Sequence, residues 1–190
     1  KKKKTPPPPP PPPRHRHASH LLGLYPGNAI TDKTPELIEA CKVSLLDRGF
    51  GQKSGANGSG WGKANKVNLW ARAKDGNRAY SMLRELINKN IAPNLWDFHP
   101  PYQMDGNCGY TSGVCEMLCY SSDDIIELLP ALPEEWKNGS VKGLCARGGY
   151  SLDFTWENGE IKSLSVYSSC DKKTARIKTG DEIKTVKTVG

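Results

Sequence analysis

Residues 141–167 read VKGLCARGGYSLDFTWENGEIKSLSVY. Three runs in this stretch, Val141–Ala146, Tyr150–Trp156 and Ile161–Tyr167, alternate apolar and polar side chains. A period of two puts every second side chain on one face of a sheet, which is the signature of a strand. Glu157-Asn158-Gly159-Glu160 joins the last two runs through an Asn-Gly pair, which accepts the positive φ angles of a tight hairpin. Ala175–Ile177 and Ile183–Val189, around Gly180-Asp181, supply a further pair. Residues 125–190 are therefore predicted to form antiparallel strands.

Upstream the period changes. Thr34-Pro35-Glu36-Leu37 offers an N-cap residue, a proline at the first helical position and an acid in the first turn. Leu37, Ala40, Cys41, Ser44 and Leu45 then recur at helical spacing, and Gly49 ends the run. A glycine-rich loop, Gly51–Gly60, precedes a second helix over Trp61–Lys74. Asn77–Asn88 reads as a third, stopped by Pro93, and Gly109–Ser121 as a fourth. A run of helices followed by a run of strands predicts an α+β chain of two packed units. The expected division is 1–13, 14–124 and 125–190: a tail, helical hairpins that form part of a larger array, and a β domain.

The first part has its own composition. Residues 1–13 read KKKKTPPPPPPPP, and eight consecutive prolines favour a stiff polyproline II rod without backbone donors. Pro9-x-x-Pro12-x-Arg14 fits the pattern read by SH3-type grooves. The tract abuts His15 abruptly, which fits unrelated sequence joined to a truncated protein better than a designed linker. Charge is concentrated there too. The whole chain has 27 Lys plus Arg against 20 Asp plus Glu, a net +7, and residues 1–16 account for +6 of it. The remainder lacks the excess of base that a nucleic-acid-binding face needs. No stretch approaches the roughly 18 apolar residues of a membrane span, and no apolar secretory segment is visible at the N-terminus. Neither nucleic acid nor membrane is an expected partner.

The six cysteines contain no CxxC pair, and Cys115 and Cys119 read as small hydrophobes packed on one helix. The Gly51–Gly60 loop lacks the GxxxxGK[ST] order of a phosphate cradle, and no cofactor is expected. His15-Arg16-His17-Ala18-Ser19-His20 gathers three imidazoles. They lack adjacent carboxylates and any HExxH arrangement, which argues against a metal. Hydrogen bonding to a polyhydroxylated ligand and a structural role both stay open for each of them. His99-Pro100-Pro101-Tyr102-Gln103-Met104-Asp105-Gly106-Asn107 is a proline-stiffened bend that presents a carboxylate and an amide near a helix start. There Asp105 either caps the helix or faces a ligand as an anion. Trp61, Asn65, Asn68 and Arg72 share a helix face, either a solvated surface or the aromatic-plus-amide set that binds sugars.

Four segments in order carry a resemblance: HRHASHLLGLYPG (15–27), GWGKANKVNLWARAKDG (60–76), NLWDFHPPYQMDGNCG (94–109) and LLPALPEEWKNGSVKGLCARGG (128–149). From about residue 14 onward the chain resembles the C-terminal portion of glycoside hydrolase family 95, the α-L-fucosidases. The resemblance implies the closing hairpins of an (α/α)6 barrel followed by a small antiparallel β-sandwich-like domain. It implies inverting hydrolysis of terminal, typically α-1,2-linked, fucose on oligosaccharides or polysaccharides, in a secreted or periplasmic setting, with no cofactor. Some relatives act on α-L-galactosides; a carbohydrate-binding module without catalysis is the other alternative. Asp105 corresponds to the aspartate that polarises a water-positioning asparagine. The cluster His15, His17 and His20 corresponds to a substrate-contacting region, His17 foremost; Trp61, His99 and Asn107 are the further expected substrate contacts. Asn65 and Gly62 depart from the family pattern, which has an aromatic and a small hydroxyl residue there. The family's glutamic general acid and its asparagines are not found in this sequence, so the isolated chain is expected to hydrolyse no fucoside and to expose an apolar edge.

Overall fold

The computed structural model describes residues 17–49, 59–98, 102–122, 124–170 and 172–189. The lysine-proline tract, the SH3-type pattern, His15, most of the glycine-rich loop and His99 lie outside these residues. Among the described residues four α-helices come first: α1 (Pro35–Arg48), α2 (Gly60–Arg72), α3 (Gly76–Asn90) and α4 (Met104–Leu118). Seven strands follow: β1 (Cys119–Ser121), β2 (Ile126–Leu128), β3 (Gly139–Ala146), β4 (Tyr150–Glu157), β5 (Glu160–Ser168), β6 (Thr174–Thr179) and β7 (Glu182–Lys187).

Proline opens α1 and Gly49, at φ 51°, closes it with its N–H on the Leu45 and Leu46 carbonyls. The buried face differs by one position from the expected one. Ile38, Cys41 and Leu45 are buried, whereas Leu37 and Ala40 are exposed. Thr34 also departs from the expected capping role: its hydroxyl turns back to bond the Thr31 amide and carbonyl, both at 3.1 Å. In α3 the Asp75 carboxylate caps the helix by accepting the Arg78 amide, and Ala79, Met82, Leu83 and Leu86 form the apolar stripe. α2 is buried on nearly every side, Lys63 and Lys66 included, because α3 and α4 both pack on it. The α2–α4 crossing is close enough that a Cβ on Gly109 would stand 2.9 Å from the Ala64 Cβ, and one on Gly113 2.5 Å from Val67 Cγ1.

α4 starts at Met104, five residues before the expected Gly109, so Asp105 belongs to its first turn and not to the preceding bend. It ends at Leu118; the expected helical end, Cys119–Ser121, is strand β1. That strand pairs antiparallel with β2, β2 pairs parallel with β6, and β6 pairs antiparallel with β7. The parallel pair corrects the wholly antiparallel expectation. A parallel connection must cross over, and here β3, β4 and β5 intervene between its two strands. Those three form their own antiparallel meander, with Asn158 (φ 51°) and Gly159 (φ 79°) making the expected hairpin turn.

Two cores result. One joins Leu21, Leu24, Ile38 and Leu45 to the interior of α2, α3 and α4. The other is shared by both sheets, with Ile126, Leu128 and Ile177 from one and Leu152, Phe154, Trp156 and Val166 from the other. The description that holds is a partial helical unit plus a β unit of two small sheets. Among the described residues no helix is long and apolar enough to cross a membrane. Burial pushes the Cys119 thiol up to about 12, whereas Cys115 is exposed, so the two do not pack as one helical pair.

Candidate active site

Residues 17–25 lie across the N-terminal half of α2 because α1 holds them there. The Arg48 guanidinium donates to the His17 carbonyl at 2.9 Å, and the His20 Nε2 meets the Ser44 hydroxyl at 2.7 Å. Thus fixed, the His17 ring lies 4.9 Å from that of Trp61, inclined by 31°. Tyr25 reaches inward, its hydroxyl 2.9 Å from Ser112 on α4. Ser112 donates in turn to Asn68 Oδ1 at 3.0 Å, and the Asn68 amide donates to the Ala64 and Gly109 carbonyls at 2.9 and 2.8 Å. This relay fastens α2 to α4, and the Ala64 Cβ leaves no room for a larger side chain at Gly109.

Between these walls is a hollow of about 320 Å³. His17, Trp61, Asn65 and Asp105 line its sides; Tyr25, Asn68 and Gly109 complete the lining with Ala18, Ser19 and Leu22. The size suits one sugar ring, small pockets beginning near ~300 Å³. A flat indole, an imidazole, two amides and a carboxylate are the chemistry that pyranose recognition uses. Asp105 is exposed and lies in the first turn of α4, one residue inside the helix start; Gln103 holds the cap position. Among the described residues, Asp105 is the one carboxylate lining the hollow.

The structure thus brings His17, Trp61 and Asp105 together from three segments. It places two other expected contacts elsewhere. His20 is turned toward α1, and burial, then the Arg48 charge, hold its imidazole below the ordinary histidine value. Asn107 faces the 95–97 loop: its amide donates to the Leu95 carbonyl at 2.7 Å and its oxygen accepts the Asp97 amide at 2.8 Å. His15 and His99 fall outside the described residues. Of the four residues on the expected face of α2, the first three line the hollow. Arg72, three turns along, instead donates to the Gly27 carbonyl at 3.0 Å and to Glu116 at 3.4 Å, and lies over the Tyr120 ring. Tyr25 is a lining residue that sequence reading missed, since a residue in an irregular segment has no periodic signal.

Two larger clefts, of about 640 and 560 Å³, run along the junction of the helical and β units. Four charged residues that line both clefts pair with one another. Lys74 bonds Asp32 at 2.6 Å and Glu127 at 2.8 Å, and Lys178 bonds the same two acids at 2.8 and 3.2 Å. Charges so matched tie the units together and leave the smaller hollow as the better ligand site. Among the described residues no cluster of three His, Cys, Asp or Glu side chains could hold a metal ion.

Residues 8–118 match the glycosyl hydrolase family 95 catalytic domain, and residues 120–189 match the family's C-terminal domain. Alpha-L-fucosidase 2 of Arabidopsis thaliana is 38% identical over 167 residues, covering 81% of this chain and 19% of that protein. Probable alpha-fucosidase A of Aspergillus oryzae is 35% identical over 166 residues, covering 76% and 22%. Its namesake in Aspergillus niger is 33% identical over 165 residues, covering 77% and 20%. The chain spans about a fifth of the length of these relatives. Because the catalytic-domain match alone covers more than half of its 190 residues, the chain belongs to glycosyl hydrolase family 95.

Proposed function

We propose that the hollow forms the base side of a site that removes terminal, α-1,2-linked L-fucose from oligosaccharides or polysaccharides, with inversion. The observation that carries this reading is the convergence of His17, Trp61 and Asp105 on one sugar-sized hollow. Trp61 offers the apolar ring face on which a pyranose stacks, while His17 and Asn65 supply hydrogen bonds to its hydroxyls. Asp105, as an anion, polarises a carboxamide that holds the attacking water; an amide alone is too weak a base to do so. Inversion also requires an acid on the leaving oxygen, roughly 6.5–9.5 Å from the base side with water between. With the hollow's one carboxylate on the base side, that acid comes from beyond the described residues, as does the water-holding asparagine that the family resemblance implies. On this reading residues 14–124 are closing hairpins of an (α/α)6 barrel, residues 125–190 are an accessory β domain, and the substrate's glycan setting favours work outside the cell or in a periplasm.

Titration of the chain with L-fucose, followed by NMR, tests the reading. Resonances of His17, Trp61 and the first turn of α4 should shift, and Trp61→Ala should abolish the response. No shift, or shifts at the junction clefts, would overturn it. L-galactose serves as the second arm, since a hydroxyl on carbon 6 is what separates the two sugars. The chain alone should release no fucose from an aryl α-L-fucoside. The single carboxylate also favours a second reading, a sugar-binding module without catalysis. The two separate in an active full-length relative, where replacing the aspartate equivalent to Asp105 by Asn should cost about 10²–10⁴-fold in kcat, as loss of general-base assistance does. Unchanged kcat would leave binding as the role of this wall.

A further inference from the structure

We infer that Asp97 is the positioning residue of this hollow: a buried carboxylate, wedged between the N-termini of α2 and α4, that sets the separation of the walls bearing Trp61 and Asp105. The inference deepens the sugar-site reading above and rests on it for its functional part.

Asp97 is 0% exposed, although the loop around it is not: Leu95, Trp96 and Phe98 are 70%, 54% and 58% exposed. A carboxylate withdrawn from water inside an otherwise wet loop needs a strong local reason. The reason is geometric. A Cβ on Gly60, the first residue of α2, would overlap the Asp97 carboxylate, and so would a Cβ on Gly106, in the first turn of α4. Both helices therefore present bare backbone to the same carboxylate. Each helix start carries partial positive charge and N–H groups without intrahelical partners, so one anion between two such starts draws them together. The Asp97 charge also acts favourably on buried Lys63, one turn into α2.

The wedge is itself held. The Asp97 amide donates to Asn107 on α4, its carbonyl accepts the Gln103 amide at 3.4 Å, and residue 97 bridges Ile91 at the end of α3. Gly60 precedes Trp61 and Gly106 follows Asp105. A carboxylate that contacts both glycines thus governs two groups that line the hollow, without lining it itself. This also gives Asn107, which faces away from the hollow, a part in the site.

The test uses the full chain and four single substitutions. Asp97→Asn keeps the shape and removes the charge. Leu83→Ala, in the apolar stripe of α3, serves as a control of general destabilisation. Gly60→Ala and Gly106→Ala each push on the wedge from one side. Amide hydrogen exchange in the first turns of α2 and α4 is the readout that needs no ligand. Asp97→Asn should accelerate exchange in both turns together, at temperatures where Leu83→Ala leaves both protected. Gly60→Ala should disturb the first turn of α4, and Gly106→Ala that of α2, because the carboxylate transmits the displacement. Loosening of one helix alone, or equal effects of Asp97→Asn and Leu83→Ala, would overturn the inference. Should Asp97→Asn fail to fold, the two glycine variants decide it. L-fucose binding is the functional arm: Asp97→Asn should weaken it at least about tenfold, the scale on which small misplacements act, and Leu83→Ala should not. If the unaltered chain binds no L-fucose, the sugar-site reading fails while the exchange arm still decides whether Asp97 positions the two helices.

Discussion

A lysine can be buried usefully when it closes the end of another helix. Lys66, on α2, donates to the Gly49 carbonyl at 2.7 Å and more weakly to that of Arg48 at 3.4 Å, where α1 runs out of intrahelical partners. Burial, then the charges of Arg48 and Lys63, push its ammonium down from the ordinary 10.5 to about 8. Below that value Lys66 is charged in the folded and unfolded chain alike, and the full cost of burying the charge is present. Between about 8 and 10.5 the unfolded chain keeps the proton and the folded chain gives it up, so stability gains as pH rises. The melting temperature should therefore climb between those values, by about 2–4 °C for each kcal/mol, and Lys66→Met should flatten the climb. Equal slopes for both chains would count against this account. Nothing in the sequence marks Lys66 as buried, since lysine is ordinarily a surface residue and its α2 neighbours Lys63 and Arg72 look alike in a helical projection. Trp61 and Asp105 were legible for the opposite reason: their segments carry a distinctive order of aromatic, amide and carboxylate. Asp97 stands in the same segment, but its role depends on contact with Gly60 and Gly106, which sequence order does not encode.

At the level of elements, strand character was readable wherever a strand lies between one wet face and one packed face, as in β4, where Leu152, Phe154 and Trp156 turn inward. It was unreadable in β1 and β2, three residues each, whose direction is set by distant partners. The pairing of β2 with β6 brings Glu127 beside Lys178, next to Asp32 ahead of α1 and Lys74 in the turn after α2. Two acids and two lysines thereby join the helical unit to the β unit. Burial alone would raise the Asp32 carboxyl, but hydrogen bonds from Lys178 and Lys74 outweigh it and hold the group below its usual value. Burial would likewise lower Lys178, but Asp32 and Glu127 hold it above its usual value. Lys178→Met should cost about 1–2 kcal/mol at neutral pH, the range of a charge-assisted bond reduced by partial exposure. Asp32 contributes its share above its unfolded value and loses it as pH falls through the lower folded one. The difference between the two chains in urea unfolding should thus narrow below about pH 4. A difference independent of pH would mean that Lys178 acts through packing alone.

Across the whole molecule, apolar exposure is lopsided. Among the described residues, thirteen large hydrophobic side chains are exposed, and ten of them precede residue 105. Scattered apolar residues are ordinary on a protein surface; a concentration on one unit is informative. Val43 and Leu46 lie on the outer face of α1, whereas Leu95, Trp96, Phe98, Tyr102 and Met104 gather around the bend that leads into α4. In that bend the Trp96 and Tyr102 rings lie 4.6 Å apart and still face solvent. The β unit shows the reverse: Tyr167, Ile183 and Val189 are its exposed large hydrophobics, and its two sheets close over one core. Hydrophobic dye should therefore bind the purified chain through its helical unit. Replacing Trp96, Phe98 and Met104 together by Ser should remove much of the fluorescence, with little loss of cooperative unfolding, because none of the three belongs to either core. Replacing Ile183 and Val189 instead should leave the signal nearly intact. A monodisperse chain that binds no dye would show that these side chains are no more than ordinary surface, and the expectation that the helical unit packs against further helices would lose its physical support.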